Sequence, residues 1–216
     1  MKMTYIVKGV AVALIAFFAV IVQAQPQQDE FPNQAAFDVV ESTTGQLLDQ
    51  VTEKRELYTA DNELFFVDVD DLLSSIIDFK RIARRVMAKH YKKAEPEQRE
   101  AFERVFKRSL LKVYAKALLD YNNERIVILP PSAKKKVNLK RQRVDIEFFS
   151  GTGKKFPISY SMYLNKEKQW KMENVVVNGV NIGLTYRNQF ARLMNKNKND
   201  VGLAVAGWSS DFESAE

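Results

Sequence analysis

The sequence KFPISYSMYLNKEKQWKMENVVV, residues 155–177, decides the fold. Its first half is apolar at every second position, a period of two that is typical of a β-strand with one buried face. These positions are Phe156, Ile158, Tyr160, Met162 and Leu164. A short polar loop follows at 165–169, and Trp170, Met172 and the apolar run at 175–177 predict the returning strand. The stretch therefore predicts an antiparallel hairpin.

The remainder of the chain separates into a helical half and a strand half. Helical spacing of apolar residues covers 35–51, 69–87, 96–118 and 186–193, and further short strands are predicted at 126–129 and within 137–149. The second helical pattern has a bend or break near Asp78, and Pro96 suits the first position of the third helix. Helices first and meandering strands second predict an α+β domain.

The N-terminus predicts export. Lys2 and Lys8 form a positive region, residues 9–22 are an unbroken apolar run, and Val22-Gln23-Ala24 suits cleavage after Ala24. Because a membrane-spanning helix needs roughly 20 apolar residues, a retained anchor is the weaker alternative. With a signal peptide at 1–24 and a flexible leader at 25–34, we expect a protein of the bacterial periplasm. In that compartment nucleic acid is not an expected partner.

The composition excludes most enzyme chemistry. The chain has no cysteine and one histidine, His90, so neither a thiol site nor a histidine-rich metal site can be built. None of its eight glycines lies in a phosphate-cradling loop. We therefore predict no enzyme activity, no metal and no cofactor. A small hydrolase that uses two carboxylates stays open in principle, but no pair of residues is singled out.

Basic residues form two groups in a chain whose formal charge is +6. The first group is Lys80, Arg81, Arg84, Arg85, Lys89, Lys92 and Lys93, and the second is Lys134, Lys135, Lys136, Lys140, Arg141 and Arg143. The favoured interpretation is a solvated polar face. The functional alternative is docking to an acidic protein or to anionic lipid heads.

An ordered set of short motifs resembles one family. The motifs are Ile77-Asp78-Phe79, Pro96-Glu97-Gln98-Arg99, Tyr114-Ala115-Lys116-Ala117-Leu118, Trp170-Lys171 and Tyr186-Arg187-Asn188-Gln189-Phe190. Each motif is weak alone, but in this order they resemble the MlaC, or toluene-tolerance, family. Its members are periplasmic phospholipid-binding proteins of the pathway that maintains lipid asymmetry in the outer membrane.

The resemblance implies N-terminal helices wrapped around a twisted antiparallel sheet, with an apolar pocket for acyl tails between the layers. The lipid-binding domain would be residues 35–194, followed by residues 195–216, which carry no clear pattern. The protein would be a monomer that exchanges phospholipid with an inner-membrane ABC transporter complex and an outer-membrane lipoprotein complex, both of the Mla type. An alternative is a periplasmic protein-interaction module that holds no lipid.

The resemblance also implies which side chains line the pocket. The helices would contribute Phe79, Ile82, Val86, Phe106, Leu110, Val113 and Tyr114, and the strands Tyr160, Met162, Met172 and Val176. For each residue an ordinary place in the core is the competing interpretation. Methionine would suit variable tails because its unbranched thioether side chain repacks easily.

Overall fold

The computed structural model describes residues 34–119, 121–122, 124–131 and 138–213. The predicted signal peptide at 1–24 and leader residues 25–33 lie outside the described residues. Across the described ranges, no helix has both the length and the apolar character that are needed to cross a membrane.

The described residues form seven α-helices and five strands, which confirms the α+β prediction. The helices are α1 Gln34–Glu53, α2 Arg55–Ala60, α3 Asn62–Ile76, α4 Phe79–Met87, α5 Pro96–Leu119, α6 Ile182–Lys196 and α7 Val201–Glu213. The strands are β1 Ile126–Ile128, β2 Arg141–Phe149, β3 Lys155–Leu164, β4 Trp170–Val177 and β5 Val180–Asn181. They form one sheet in the order β1-β2-β3-β4-β5, and every neighbouring pair is antiparallel.

The predicted break near Asp78 separates α3 from α4. Ile77 pairs with Met172 in an isolated bridge, and the Asp78 backbone N–H donates to the Met172 carbonyl at 3.2 Å. The Asp78 Oδ1 atom accepts from the Arg81 N–H at 2.8 Å, which caps the first turn of α4. The chain therefore leaves one helix, touches strand β4 and starts the next helix within two residues.

A β-bulge in β4 changes which side chains share a face. Ser161 pairs with Asn174 while Met162 pairs with Met172, so Glu173 is the extra residue. Beyond the bulge, Val175 pairs with Tyr160 and lies on its face of the sheet. Val176 pairs with Ser159 and lies on the opposite face. The prediction assumed unbroken alternation along β4 and therefore placed Val176 on the same face as Tyr160 and Met172. One inserted residue shifts a period of two by one position.

Four helices form a core of their own. Buried residues of α4, α5, α6 and α7 make one cluster, with Trp208 fully buried among aromatic rings. The Trp208 ring centroid lies 5.2 Å from that of Phe102 and 5.8 Å from that of Phe106. Helix α7 lies in the segment 195–216, which carries no clear sequence pattern, and it is part of this core.

A separate cluster joins the first three helices to α5. Its buried members are Val51, Tyr58, Phe65, Val69 and Leu111. The Tyr58 hydroxyl donates to Asp68 at 2.9 Å, and the Lys54 ammonium binds the same carboxylate at 2.6 Å. These bonds tie α2, and the residue that joins it to α1, to α3.

Candidate functional site

One face of the sheet is apolar across four strands. In the register, Val144 of β2, Tyr160 of β3 and Val175 of β4 lie side by side, and Ile128, Ile146, Ile158 and Val177 form the next row. The opposite face carries Arg143, Asp145 and Ser159, which bond to one another at 2.5 to 2.7 Å. We call the first the apolar sheet face and the second the polar sheet face. A sheet of this kind needs cover on its apolar side alone.

Helix α1 supplies that cover. Ala36 and Val40 from α1 and Ile76 from the end of α3 are buried against the sheet. The helix contacts both β2 and β4. Its second half carries Val51 into the neighbouring helical cluster with α3 and α5. Apolar surface therefore continues from the sheet, along α1, to the inner sides of α3 and α5.

The cover over the apolar sheet face is incomplete. Several apolar side chains pack against its buried centre and yet keep part of their surface accessible to solvent. They are Phe37, Val39, Ile77, Ile126, Ile128, Ile158, Tyr160, Leu164 and Val175. In a closed core, side chains that point at the covering layer are buried on all sides. The protein itself does not fully cover this ring of half-buried apolar residues. An apolar ligand could supply the rest of the cover.

The predicted lipid-binding residues fall into different places. Tyr160, Met162 and Met172 lie together on the apolar sheet face, with Met162 paired to Met172 across the strands. Val86 and Phe106 are fully buried in the core of α4 to α7. The structure thus brings together three of the predicted strand residues and separates them from these helix residues. Any lipid contact remains a prediction.

The other predicted residues lie at the margins. Ile82 and Leu110 pack against the edge of the α4–α7 core, and Phe79 is buried at the start of α4. The Lys107 ammonium lies 5.3 Å from the centre of the Phe79 ring. Val113 and Tyr114 belong to α5, but their side chains lie outside the described residues.

The sequence-based site prediction missed residues from α1, β1 and β2. Phe37, Val39, Ile126, Ile128 and Ile146 all belong to the cluster on the apolar sheet face. A usable signal existed for the strand residues, because Val144, Ile146 and Phe148 alternate with the same period as residues 156–164. Strands of one sheet share its buried face, so the prediction should have extended across all of them.

The ionisable groups of the described residues are the candidates for binding a metal ion. Within the described residues, no three side chains of His, Cys, Asp and Glu come close enough to hold a metal ion. His90 is buried, with its ring centre 6.2 Å from that of Phe190. Burial, with the charges of Lys89 and Lys93, lowers the pKa of the His90 imidazole. It is a neutral core residue at neutral pH.

A half-buried tyrosine, Tyr163, supports the start of α4. The Tyr163 hydroxyl donates to Asp78 Oδ2, and the Arg81 guanidinium lies 4.1 Å from the centre of the Tyr163 ring. Burial and then the bond to Asp78 raise the pKa of Tyr163 to about 12. The Ile77-Asp78-Phe79 motif therefore fixes α4 to the sheet.

The comparisons with known proteins agree with this architecture. The profile described as MlaC protein matches residues 41–205. Toluene tolerance protein Ttg2D of Pseudomonas putida is 34% identical over 210 residues, which are 97% of this chain and 92% of that protein. A solved structure of a phospholipid-binding protein from Ralstonia solanacearum, in complex with a phospholipid, superposes with a TM-score of 0.73. It is 23% identical, and the alignment covers 83% of this chain and 97% of that one, so it supports the fold. Since the family profile spans most of the sequence and Ttg2D matches nearly all of it, the chain belongs to the MlaC family.

Proposed function

We propose that this protein is a periplasmic phospholipid carrier that holds acyl tails between the apolar sheet face and helices α1, α3 and α5. The observation that carries the proposal is the ring of half-buried apolar side chains around the sheet cluster. The phospholipid in the related Ralstonia structure supports the ligand class. The name of the Pseudomonas relative, a toluene tolerance protein, fits a role in the cell envelope.

The energetics explain why such a carrier must enclose its ligand. Two acyl tails contain on the order of 30 methylenes, and transfer to water costs about 0.8 kcal/mol for each. Exposure of both tails would therefore cost roughly 24 kcal/mol. Polar contacts to the head group cannot offset a cost of that size, whereas a continuous apolar wall can. Met162 and Met172 lie at the centre of this wall, where flexible thioethers can adapt to tails of different shape.

The transport cycle requires no chemistry from the chain. The carrier would take phospholipid from one membrane complex and pass it to another by direct contact. We propose the outer-membrane lipoprotein complex and the inner-membrane ABC transporter of the Mla type as these partners. The ATP would be spent by the transporter. The export signal predicted at 1–24 would place the carrier between the two membranes.

The first test is to identify what the exported protein carries. The protein would be isolated gently from the periplasm of a bacterial host, extracted with organic solvent and examined by mass spectrometry. We expect glycerophospholipid in near-stoichiometric amount. A lipid-free protein that also takes no lipid from vesicles would contradict the carrier proposal and favour the protein-interaction alternative.

Two neighbouring valines give a matched pair of variants for the site. Val175→Trp would fill the apolar sheet face, whereas Val176→Trp places the same side chain on the polar sheet face of the same strand. We expect Val175→Trp to lower lipid uptake from vesicles at least fivefold and Val176→Trp to change it little. Circular dichroism would confirm that both variants are folded. Equal uptake by both variants would show that the tails bind elsewhere.

A further inference from the structure

A concave site lies on the polar side of the sheet, away from the apolar sheet face. It is a cleft of about 660 Å³ between α4, the start of α6 and the polar sheet face. Its lining includes Arg85 and Lys89 at the α4 end, Arg141 and Glu173 from the sheet, and Leu184 and Arg187 from α6. We call it the cationic cleft. Its volume falls in the range of about 300 to 1,000 Å³ that is typical of ligand sites.

Part of the charge in the cationic cleft is fixed in position by one carboxylate. Glu173, the bulge residue, is buried, with 5% of its surface accessible. Its Oε1 atom accepts from Arg141 at 2.9 Å, and its Oε2 atom lies 2.7 Å from Arg81 Nε and 3.0 Å from an Arg85 nitrogen. Arg85 also donates from its other terminal nitrogen to the Glu173 backbone carbonyl at 3.3 Å. Arg141 and Arg85 remain substantially exposed, and the N–H groups that Glu173 does not accept can still donate to a ligand.

The rest of the charge is uncompensated. Lys89 and Arg187 are exposed, and neither side chain makes an ion pair or a hydrogen bond with the part of the chain that the structure describes. The named lining thus holds four cations against one carboxylate. Beside them, half of the Leu184 surface is exposed to solvent, which gives the cleft an accessible apolar side chain.

We propose that the cationic cleft binds an acidic segment of a partner protein. Carboxylates of the segment would pair with Arg85, Arg141 and Arg187, since guanidinium groups match carboxylate geometry in two-bond pairs. An apolar side chain of the segment would cover Leu184. A peptide fits better than a membrane surface because the cations line a concavity, which side chains can enter and a flat lipid surface cannot.

The lining of the cationic cleft also includes Ile82 and Val86, two of the residues that the sequence analysis assigned to the lipid pocket. The cleft is nevertheless separate from the acyl-tail site proposed above. Arg141 and Ser161 line the cationic cleft from the polar sheet face, whereas acyl tails are proposed to lie on the apolar one. Variants of the cleft should therefore leave lipid uptake from vesicles unchanged. Loss of lipid binding by a variant of the apolar sheet face should likewise leave peptide binding intact.

The test uses a ten-residue peptide of glutamate and leucine with blocked ends, and a control peptide with glutamine in place of glutamate. We expect the acidic peptide alone to shift the amide resonances of Asn174, Gly183 and Leu184, with an affinity that falls as salt is added. An acidic peptide that binds without shifting these resonances, or does not bind at all, would overturn the proposal.

Charge-reversal variants distinguish an effect of the cleft residues from an effect of the protein's net charge. Lys89→Glu with Arg187→Glu should weaken peptide binding at least tenfold. Lys80→Glu with Lys196→Glu is the control, because these exposed lysines lie on α4 and α6 outside the cleft and change the charge equally. If the first variant does not fold, Lys89→Gln with Arg187→Gln replaces it, with at least a threefold loss expected. Equal losses in the cleft and control variants would overturn the proposal, as would cleft-dependent binding to phosphatidylglycerol vesicles without peptide binding.

Discussion

The carboxylate of Glu173 joins α4 to the sheet. The two basic groups of the sequence, which lie about sixty positions apart, meet on this one residue through Arg81, Arg85 and Arg141. Glu173 is also the bulge residue of β4, so this contact with α4 lies where the strand pairing is irregular. A buried carboxylate is tolerated because three guanidinium groups surround it.

Removing that charge should destabilise the fold. Glu173→Gln leaves three guanidinium groups close together with no anion between them. We expect the free energy of unfolding to fall by about 2 to 3 kcal/mol, somewhat less than for a fully buried pair because the arginines reach solvent. Urea unfolding measures the change. Glu167→Gln, in the exposed hairpin loop, is the control, and an equal effect of both variants would contradict the role of Glu173.

His90 should make stability depend on pH. Because burial lowers its pKa in the folded state, the unfolded chain binds a proton first as pH falls below about 6.5. The unfolded state then holds more protons, so stability decreases toward lower pH by up to about 1.4 kcal/mol per pH unit. This loss ends once pH passes below the folded-state pKa. His90 is the only histidine in the chain, and His90→Gln should remove the dependence between pH 6.5 and the onset of carboxylate titration. An unchanged slope in urea unfolding would contradict this assignment.

At the scale of elements, the junction of α3 and α4 depends on Asp78. Asp78→Ala removes the cap of α4 and leaves the half-buried Tyr163 hydroxyl without its acceptor. We expect a loss of about 2 to 4 kcal/mol in the free energy of unfolding. Asp61→Ala is the matched control, because Asp61 caps α3 at an exposed position and should cost only about 1 kcal/mol. Asp78→Asn should recover part of the loss. Equal costs at Asp61 and Asp78 would contradict the role of the tyrosine contact.

The elements also show what periodicity can and cannot predict. Residues 155–164 form β3 as predicted, because a local period of two is sufficient to specify a strand with one buried face. The bulge at Glu173 could not be predicted from the sequence. Apolar residues stand before and after Glu173, so a strand with or without the bulge would bury apolar side chains. Helix α7 was missed because a short helix owes its stability to tertiary contacts, here the packing of Trp208. A local sequence pattern does not show such tertiary contacts.

At the scale of the whole molecule, the helical core and the apolar sheet face are separate apolar clusters. Val86 and Phe106 were predicted for the same pocket as Tyr160 and Met162, but they belong to a different cluster. Periodicity identifies the apolar side of a helix or strand, but it does not predict which hydrophobic cluster that side packs into. The tightly packed core of α4 to α7 can keep the molecule folded while the proposed lipid enters and leaves at the incompletely covered apolar sheet face.

This division predicts that lipid contributes to stability. A ligand that binds only the folded state stabilises it by about 2.7 kcal/mol at a free concentration of 100 times Kd. For a chain of this length, that corresponds to a rise in Tm of roughly 5 to 10 °C. Protein stripped of lipid by unfolding and refolding should therefore melt lower than the exported form, and vesicles of phosphatidylglycerol should restore the difference. Val175→Trp should show no such rise, while Val176→Trp should retain it. An identical Tm for stripped and exported protein would mean that the apolar sheet face closes on its own side chains, which is the behaviour of a core and would contradict a lipid site there.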